Sequence, residues 1–208
     1  MDIKSFVLNK AKAAKEGARA LAKVSSKEKN NALLEMAKAL KKQGKELIKE
    51  NKKDIAAAEK KGLSKAMIDR LTLNDKRINE MAQGLIEVAA LPDPVGEIVK
   101  MRQRPNGMTV GKMRVPIGVI GIIYESRPNV TADATSLCLK AGNAVILRGG
   151  SEAINSNKAI VKILRDSAKA SGIHEDAIAF IDIPDREAVM EMLKLEGLID
   201  LIIPRGGE

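Results

Sequence analysis

The sequence predicts an α/β protein: a helical layer over residues 1–92, a β-hairpin arm over 97–114, and a βα-alternating parallel sheet over 115–208. Three observations carry this expectation. Apolar residues recur every three or four positions through the first ninety residues, the spacing of helices with one buried stripe. Asn106-Gly107 then separates two short extended runs, which is a strong local signal for a hairpin. From Val115 onward, near-continuous apolar runs alternate with helical patterns, which calls for parallel strands buried on both faces and joined by right-handed crossovers.

The first helix is expected over 3–23, with Ile3, Phe6, Val7, Ala11, Ala14, Ala18 and Leu21 on one stripe. Ser25 and Glu28 form a capping box ahead of the next helical stretch, and Gly44 and Gly62 are placed to break or end its helices. A further helical pair spans Ser64 to Leu91, with Asn74 or Asp75 as an N-cap within it and Pro92 and Pro94 closing it. After the hairpin the pattern gives strand 117–124, helix 130–141, strand 144–148, helix 153–171, strand 177–182, helix 185–196 and strand 199–203.

In open α/β sheets ligands bind outside the carboxyl ends of the strands, where loops and helix N-termini gather unsatisfied N–H groups. This singles out three loops: Glu125-Ser126-Arg127-Pro128-Asn129, Arg148-Gly149-Gly150-Ser151-Glu152 and Pro204-Arg205-Gly206-Gly207-Glu208. Each offers an Arg to an anion, and two pair that Arg with Gly-Gly, which permits close backbone approach to a phosphate or ribose. The competing account is that Gly-Gly only turns the chain between strand and helix. Neither G-x-G-x-x-G nor the P-loop pattern is present.

Composition narrows the classes. The chain has 208 residues, 45% of them apolar, enough to bury a core. No run of about eighteen uncharged apolar residues occurs, and the N-terminus has no signal-peptide core, so a cytoplasmic protein with no membrane association is expected. One cysteine, Cys138, and one histidine, His174, exclude a disulfide framework and a structural zinc site; no metal site is expected. Cys138 falls on an apolar helical face with Val130, Ala134, Leu137 and Ala141, which makes it a packing thiol, and His174 is read as a surface residue. The net charge of +9 lies wholly in residues 1–62, with 17 Lys/Arg against 8 Asp/Glu, while residues 63–208 hold 19 of each. With three aromatic residues in all, the excess describes solvated helix faces and not a nucleic-acid platform.

The stretches IYESRPNVTADA and GNAVILRGGSEA, together with the helical N-terminus and the closing IDLIIPRGGE, resemble the γ-glutamyl phosphate reductase family of the aldehyde dehydrogenase superfamily. The resemblance covers the entire chain. It implies a Rossmann-like sheet and one NADPH-binding domain over 1–208. The implied reaction, in proline biosynthesis, is NADPH-dependent reduction of L-glutamyl 5-phosphate to L-glutamate 5-semialdehyde and phosphate. By the same resemblance Arg148, Gly149, Gly150, Ser151 and Glu152 stand at the adenosine ribose, with Arg148 suited to the 2'-phosphate. Arg205, Gly206 and Gly207 stand at the pyrophosphate or nicotinamide side. Ser126, Arg127 and Asn129 are substrate candidates; Asn129 is the nearest to an oxyanion-stabilising Asn, and Arg127 suits either the acyl phosphate or a cofactor phosphate. Members of the family attack with a cysteine thiolate that lies beyond the position of Glu208, so no catalytic residue is expected within these 208 residues and the chain alone is expected to be inactive. A homo-oligomeric whole enzyme, with the hairpin reaching a neighbouring subunit, and a pathway contact with glutamate 5-kinase are also implied. The alternatives are another aldehyde or acyl-phosphate dehydrogenase of the superfamily, or a non-catalytic nucleotide-binding module.

Overall fold

Caps and apolar spacing place the N-terminal helices. In the computed structural model, which describes residues 2–206, α1 (Ile3–Leu21) starts on Asp2, whose carboxylate accepts from the backbone N–H groups of Lys4 and Ser5. The capping box of Ser25 and Glu28 opens α2 (Ser26–Lys42), and α3 (Gly44–Lys60) follows across Gln43. Ser64 and Asn74 cap α4 (Lys65–Leu71) and α5 (Asp75–Ala90). Each side chain occupies one or, for Asp2, two of the N–H groups that a helix start leaves without an intrahelical partner.

The hairpin consists of β1 (Ile98–Gln103) and β2 (Thr109–Met113), paired antiparallel with Arg102 opposite Val110. Its turn is longer than the two-residue form that Asn106-Gly107 suggests. Arg104 accepts from the N–H of Gly107 at 2.8 Å and donates to the carbonyl of Met108, while Gly107 takes a φ of +83°. Pro105 therefore sits inside the turn, which absorbs the missing donor.

The main sheet is parallel, in the order β5-β4-β3-β6, from β3 (Val119–Tyr124), β4 (Ala144–Arg148), β5 (Ile178–Phe180) and β6 (Leu201–Arg205). Between them lie α6 (Asn129–Lys140), α7 (Ile154–Ala170) and α8 (Glu187–Leu193). The chain steps from β3 to β4 to β5 in one direction and then returns to β6 on the far side of β3. Right-handed crossovers consequently put α6 and α7 on one face and α8 on the other. Helices α2, α3 and α5 stack on α6 and α7, whereas α1 packs with α8 against β4 and β5. The helices before residue 92 thus do not share one face.

Several boundaries differ from the pattern. The strand expected from 117 begins at Val119, because Asn143 Oδ1 accepts from the N–H groups of Ile117 and Gly118 and holds them out of the ladder. The strand expected over 177–182 shrinks to three residues, since Glu175–Ala177 form a 3₁₀ turn whose cap is His174, its Nδ1 accepting from Asp176 N–H. The last strand starts at Leu201 instead of 199, as a tight turn hydrogen-bonds Leu198 and Ile199 back to Leu195. Arg205 then belongs to the strand end and not to the following loop.

A candidate nucleotide cleft at the sheet's switch point

The strand order reverses at β3: the chain passes from β3 to β4 and β5 on one side and returns to β6 on the other, which opens a crevice at the carboxyl ends of β3 and β6. Strand β3 ends on Tyr124, which is buried; its hydroxyl lies 2.6 Å from Thr131 Oγ1, and that hydroxyl in turn donates to Asn157 Oδ1 at 2.9 Å. One proton per hydroxyl makes Tyr124 the donor to Thr131. Burial raises the Tyr124 pKa and keeps the phenol protonated. The Tyr124, Thr131 and Asn157 chain ties the start of α6 and the start of α7 together beneath the crevice.

The glycines after β4 play unequal parts. A methyl group on Gly149 would lie 2.2 Å from Asn157 Nδ2, a buried amide nitrogen that has no hydrogen-bond partner among the described residues, and 3.1 Å from the Tyr124 ring. One on Gly150 would meet the movable end of Glu152 at 2.4 Å. Gly149 is accordingly a packing glycine, and it is absent from the cleft lining; Gly150 is present there.

Helix α7 does not offer a bare N-terminus. Asp54 of α3, buried, accepts from the N–H and Nδ2 of Asn155 at 3.1 and 2.7 Å, and from the N–H and Oγ of Ser156 at 2.8 and 2.6 Å. Asn51, one turn earlier, donates to Leu71 O and Ser156 Oγ and accepts from Leu73 N–H. These bonds fix the α4–α5 turn and the first turn of α7 to the same helix. They also supply the negative charge that a helix N-terminus otherwise seeks in a ligand.

Between the loops lies a cleft of ≈ 480 Å³. The β3–α6 loop brings Glu125 and Ser126 to it, the β4–α7 loop brings Arg148, Gly150, Ser151 and Glu152, and the end of β6 brings Pro204, Arg205 and Gly206. Pro184 and Arg186 arrive from the loop after β5, and Met67 from α4. The Arg148 side chain is half-buried, with Nη2 donating to Pro184 O at 2.8 Å and Nε without a partner among the described residues. Burial lowers the Arg148 pKa, opposed by the neighbouring carboxylate of Glu152. Three guanidinium groups and two carboxylates thus line one cleft, an assortment that suits phosphate and ribose hydroxyls respectively. No group of three or more His, Cys, Asp or Glu arranged to hold a metal occurs among the described residues.

Of the residues expected at a cofactor, Arg148, Gly150, Ser151, Glu152, Arg205 and Gly206 converge here, Gly149 packs below, and Gly207 lies outside the described residues. The substrate candidates divide. Ser126 is buried against the cleft, while Arg127 and Asn129 line a separate cavity of ≈ 320 Å³ with Arg70, Arg77, Glu80 and Asp133. There Asn129 Nδ2 donates to Asp133 Oδ2 at 3.2 Å; burial raises the Asp133 pKa, with Asn129 and Arg205 opposing. Cys138 is buried in α6, where burial alone pushes its thiol up to about 12, and it lines neither cavity. Arg186 escaped the sequence reading although it obeys the rule used for the other loops, applied to β5. Met67 and Arg70 sit on a seven-residue helix with no local signal pointing to a site.

The profile of the aldehyde dehydrogenase family matches residues 4–202. Over all 208 residues the chain is 67% identical to a γ-glutamyl phosphate reductase from Thermodesulfovibrio yellowstonii and covers 50% of it. A protein of the same name from Clostridium acetobutylicum is 56% identical over 207 residues, again with 50% of it covered. Among solved structures, γ-glutamyl phosphate reductase from Thermotoga maritima is similar with a TM-score of 0.94 at 46% identity, covering 97% of this chain and 49% of that one. A probable aldehyde dehydrogenase from Listeria monocytogenes, 17% identical with a TM-score of 0.75 over 100% of this chain and 44% of its own, shares the fold. The chain spans about half the length of the curated relatives it matches.

Proposed function

Because the chain belongs to the aldehyde dehydrogenase family, we propose that its cleft binds NADPH and that it forms the nucleotide-binding half of a reductase that converts L-glutamyl 5-phosphate to L-glutamate 5-semialdehyde. The observation that carries the cofactor reading is the convergence of Arg148, Ser151, Glu152, Arg186 and Arg205 on one cleft at the switch point. The substrate is taken from the 67% and 56% identical relatives, whose names state it.

The residues fit a dinucleotide. Arg148 Nε is a buried donor with no partner among the described residues, and a side chain at Gly150 would intrude on Glu152. Glu152 and Ser151 would accept from the ribose hydroxyls, Arg148 and Arg186 would donate to the 2'-phosphate, and Arg205 with the backbone at Gly206 would donate to the pyrophosphate. NADPH bound there supplies a hydride. With Asp54 already capping α7, recognition of phosphate falls to guanidinium groups, which makes the site salt-sensitive. Cys138 is inaccessible, so the thiolate of acyl transfer has to come from outside these residues, and the 208 residues alone are inactive in this reading. A homo-oligomeric whole enzyme, a glutamate 5-kinase contact and a cytoplasmic location belong to the same proposal. No helix among the described residues is long and apolar enough to cross a membrane.

The test is a fluorescence or calorimetric titration of the protein with NADPH and NADH. Arg148→Ala and Arg186→Ala are each expected to weaken NADPH by about tenfold and to narrow its advantage over NADH. Absence of saturable NADPH binding by the wild type, or wild-type affinity in both variants, overturns the cofactor reading.

A further inference from the structure

We propose that Arg70, Arg127 and Arg205 form an anion subsite for a phosphate group beside the cofactor cleft, with Arg70 of α4 as a specificity-determining residue. The assignment deepens the reductase reading and rests on it for the identity of the phosphate. A small cavity of ≈ 180 Å³ is lined by these three side chains together with Tyr124, Ser126 and Glu125. Three guanidinium groups stand there against one carboxylate.

No hydrogen bond or ion pair among the described residues engages the side chain of Arg70, Arg127 or Arg205. Arg77 shows what the alternative looks like on the adjoining helix. Its guanidinium takes both carboxylate oxygens of Asp69 at 3.0 Å and the carbonyl of Thr72 at 2.7 Å. The acid next to Arg70 in sequence is thereby committed elsewhere, and Arg70 is left to face the cavity. Three such side chains arrive from α4, the β3–α6 loop and the end of β6, and an anion between them would be met by all three. Arginine forks are also the side chains best matched to phosphate oxygens.

Position narrows the ligand. The cavity shares Tyr124, Glu125, Ser126, Arg205 and Gly206 with the cofactor cleft, and shares Arg70 and Arg127 with the ≈ 320 Å³ cavity that holds Asn129. It therefore lies where the two meet. Its size is below that of a pocket for a whole organic ligand, which is typically about 300 Å³ or more, and suits a single charged group. The larger neighbour contains Glu80 and Asp133 as well as arginines, so the cationic excess is centred in the small cavity. A phosphate held there belongs either to the acyl phosphate substrate or to the cofactor.

Inorganic phosphate is the probe. Calorimetric titration at constant ionic strength, with and without saturating NADPH, would compare wild type, Arg70→Gln, Arg70→Lys and, as a charge-matched control on the hairpin, Arg102→Gln. The expected result is saturable phosphate binding that Arg70→Gln weakens by about tenfold, Arg70→Lys partly restores and Arg102→Gln leaves unchanged. Persistence of phosphate binding with NADPH present assigns the subsite to the substrate; displacement by NADPH assigns it to the cofactor. Absence of saturable phosphate binding, or equal effects of Arg70→Gln and Arg102→Gln, overturns the subsite. A protein that binds phosphate through Arg70 but not NADPH loses the cofactor reading and keeps the subsite, and the reverse pattern separates the two failures in the other direction.

Discussion

Gly149 and Gly150 adjoin in sequence, yet a methyl group at each meets different surroundings. At Gly149 it would press on Asn157 and Tyr124, both buried; at Gly150 it would press chiefly on the carboxylate end of Glu152, which can swing away. We predict that Gly149→Ala costs about 1–3 kcal/mol of stability, the usual range for overpacking a filled site, seen as a lowered urea midpoint. Gly150→Ala is expected to leave that midpoint near the wild-type value and to weaken NADPH instead. A Gly149→Ala protein as stable as wild type would remove the packing assignment. The residue scale is also where sequence reading was least informative. A Gly-Gly pair after a strand looks the same whether a ligand or a side chain requires it, and the amide that occupies Gly149's space comes from Asn157, on a different element. Arg148, Ser151 and Glu152 were legible because they stand at a strand end or just after it. Arg70 was not, because only the tertiary path of α4 brings it to the cavity.

Elements were legible to the extent that their determinants are local. Capping residues and apolar spacing are read within a few positions, and α1 to α5 lie where those signals put them. The start of β6 depends on distant groups. Asp200 receives the N–H of Val119 at 2.8 Å and Lys15 Nζ at 2.8 Å, while its own N–H donates to Val119 O at 2.9 Å. Gly118, at φ +127°, is what allows this approach, since a side chain there would fall 2.2 Å from the carboxylate. Burial raises the Asp200 pKa, but the bonds from Lys15 and Val119 outweigh it and hold the group below its ordinary value of 3.8. A depressed folded-state pKa gives stability that is present above the unfolded value and is lost as pH falls through the folded one. Asp200→Asn is therefore predicted to destabilise by about 1 kcal/mol at neutral pH, the solvated pair with Lys15 being screened and the bond from Val119 supplying most of the effect, with the gap to wild type closing below about pH 4. Urea unfolding at several pH values would check it; a gap that is constant from pH 7 to pH 3 contradicts the charge-based account.

At the scale of the whole molecule, sequence gave the order of elements but not the side of the sheet each would cover. The hairpin arm is exposed along both strands and displays Ile98, Val99, Met101, Val110 and Met113 to solvent. So much apolar surface on a two-stranded ribbon is what a partner could cover. We predict concentration-dependent self-association by sedimentation, reduced by the pair Met101→Lys and Val110→Lys; a monomer at all concentrations for both proteins excludes it. A separate consequence follows from α1. Its partners are the 3₁₀ turn Glu175–Ala177, α8 and strands β3, β4 and β5, and its Lys15 meets Asp200 across 185 positions. As the polypeptide leaves the ribosome, α6 and α7 can close over one side of the nascent sheet early, while α1 waits for α8 and Asp200 before its own side is finished. Until residue 200 has emerged, α1 and the β3–β4 surface beneath it form a half-built seam, the stretch of synthesis in which a chaperone has most to cover.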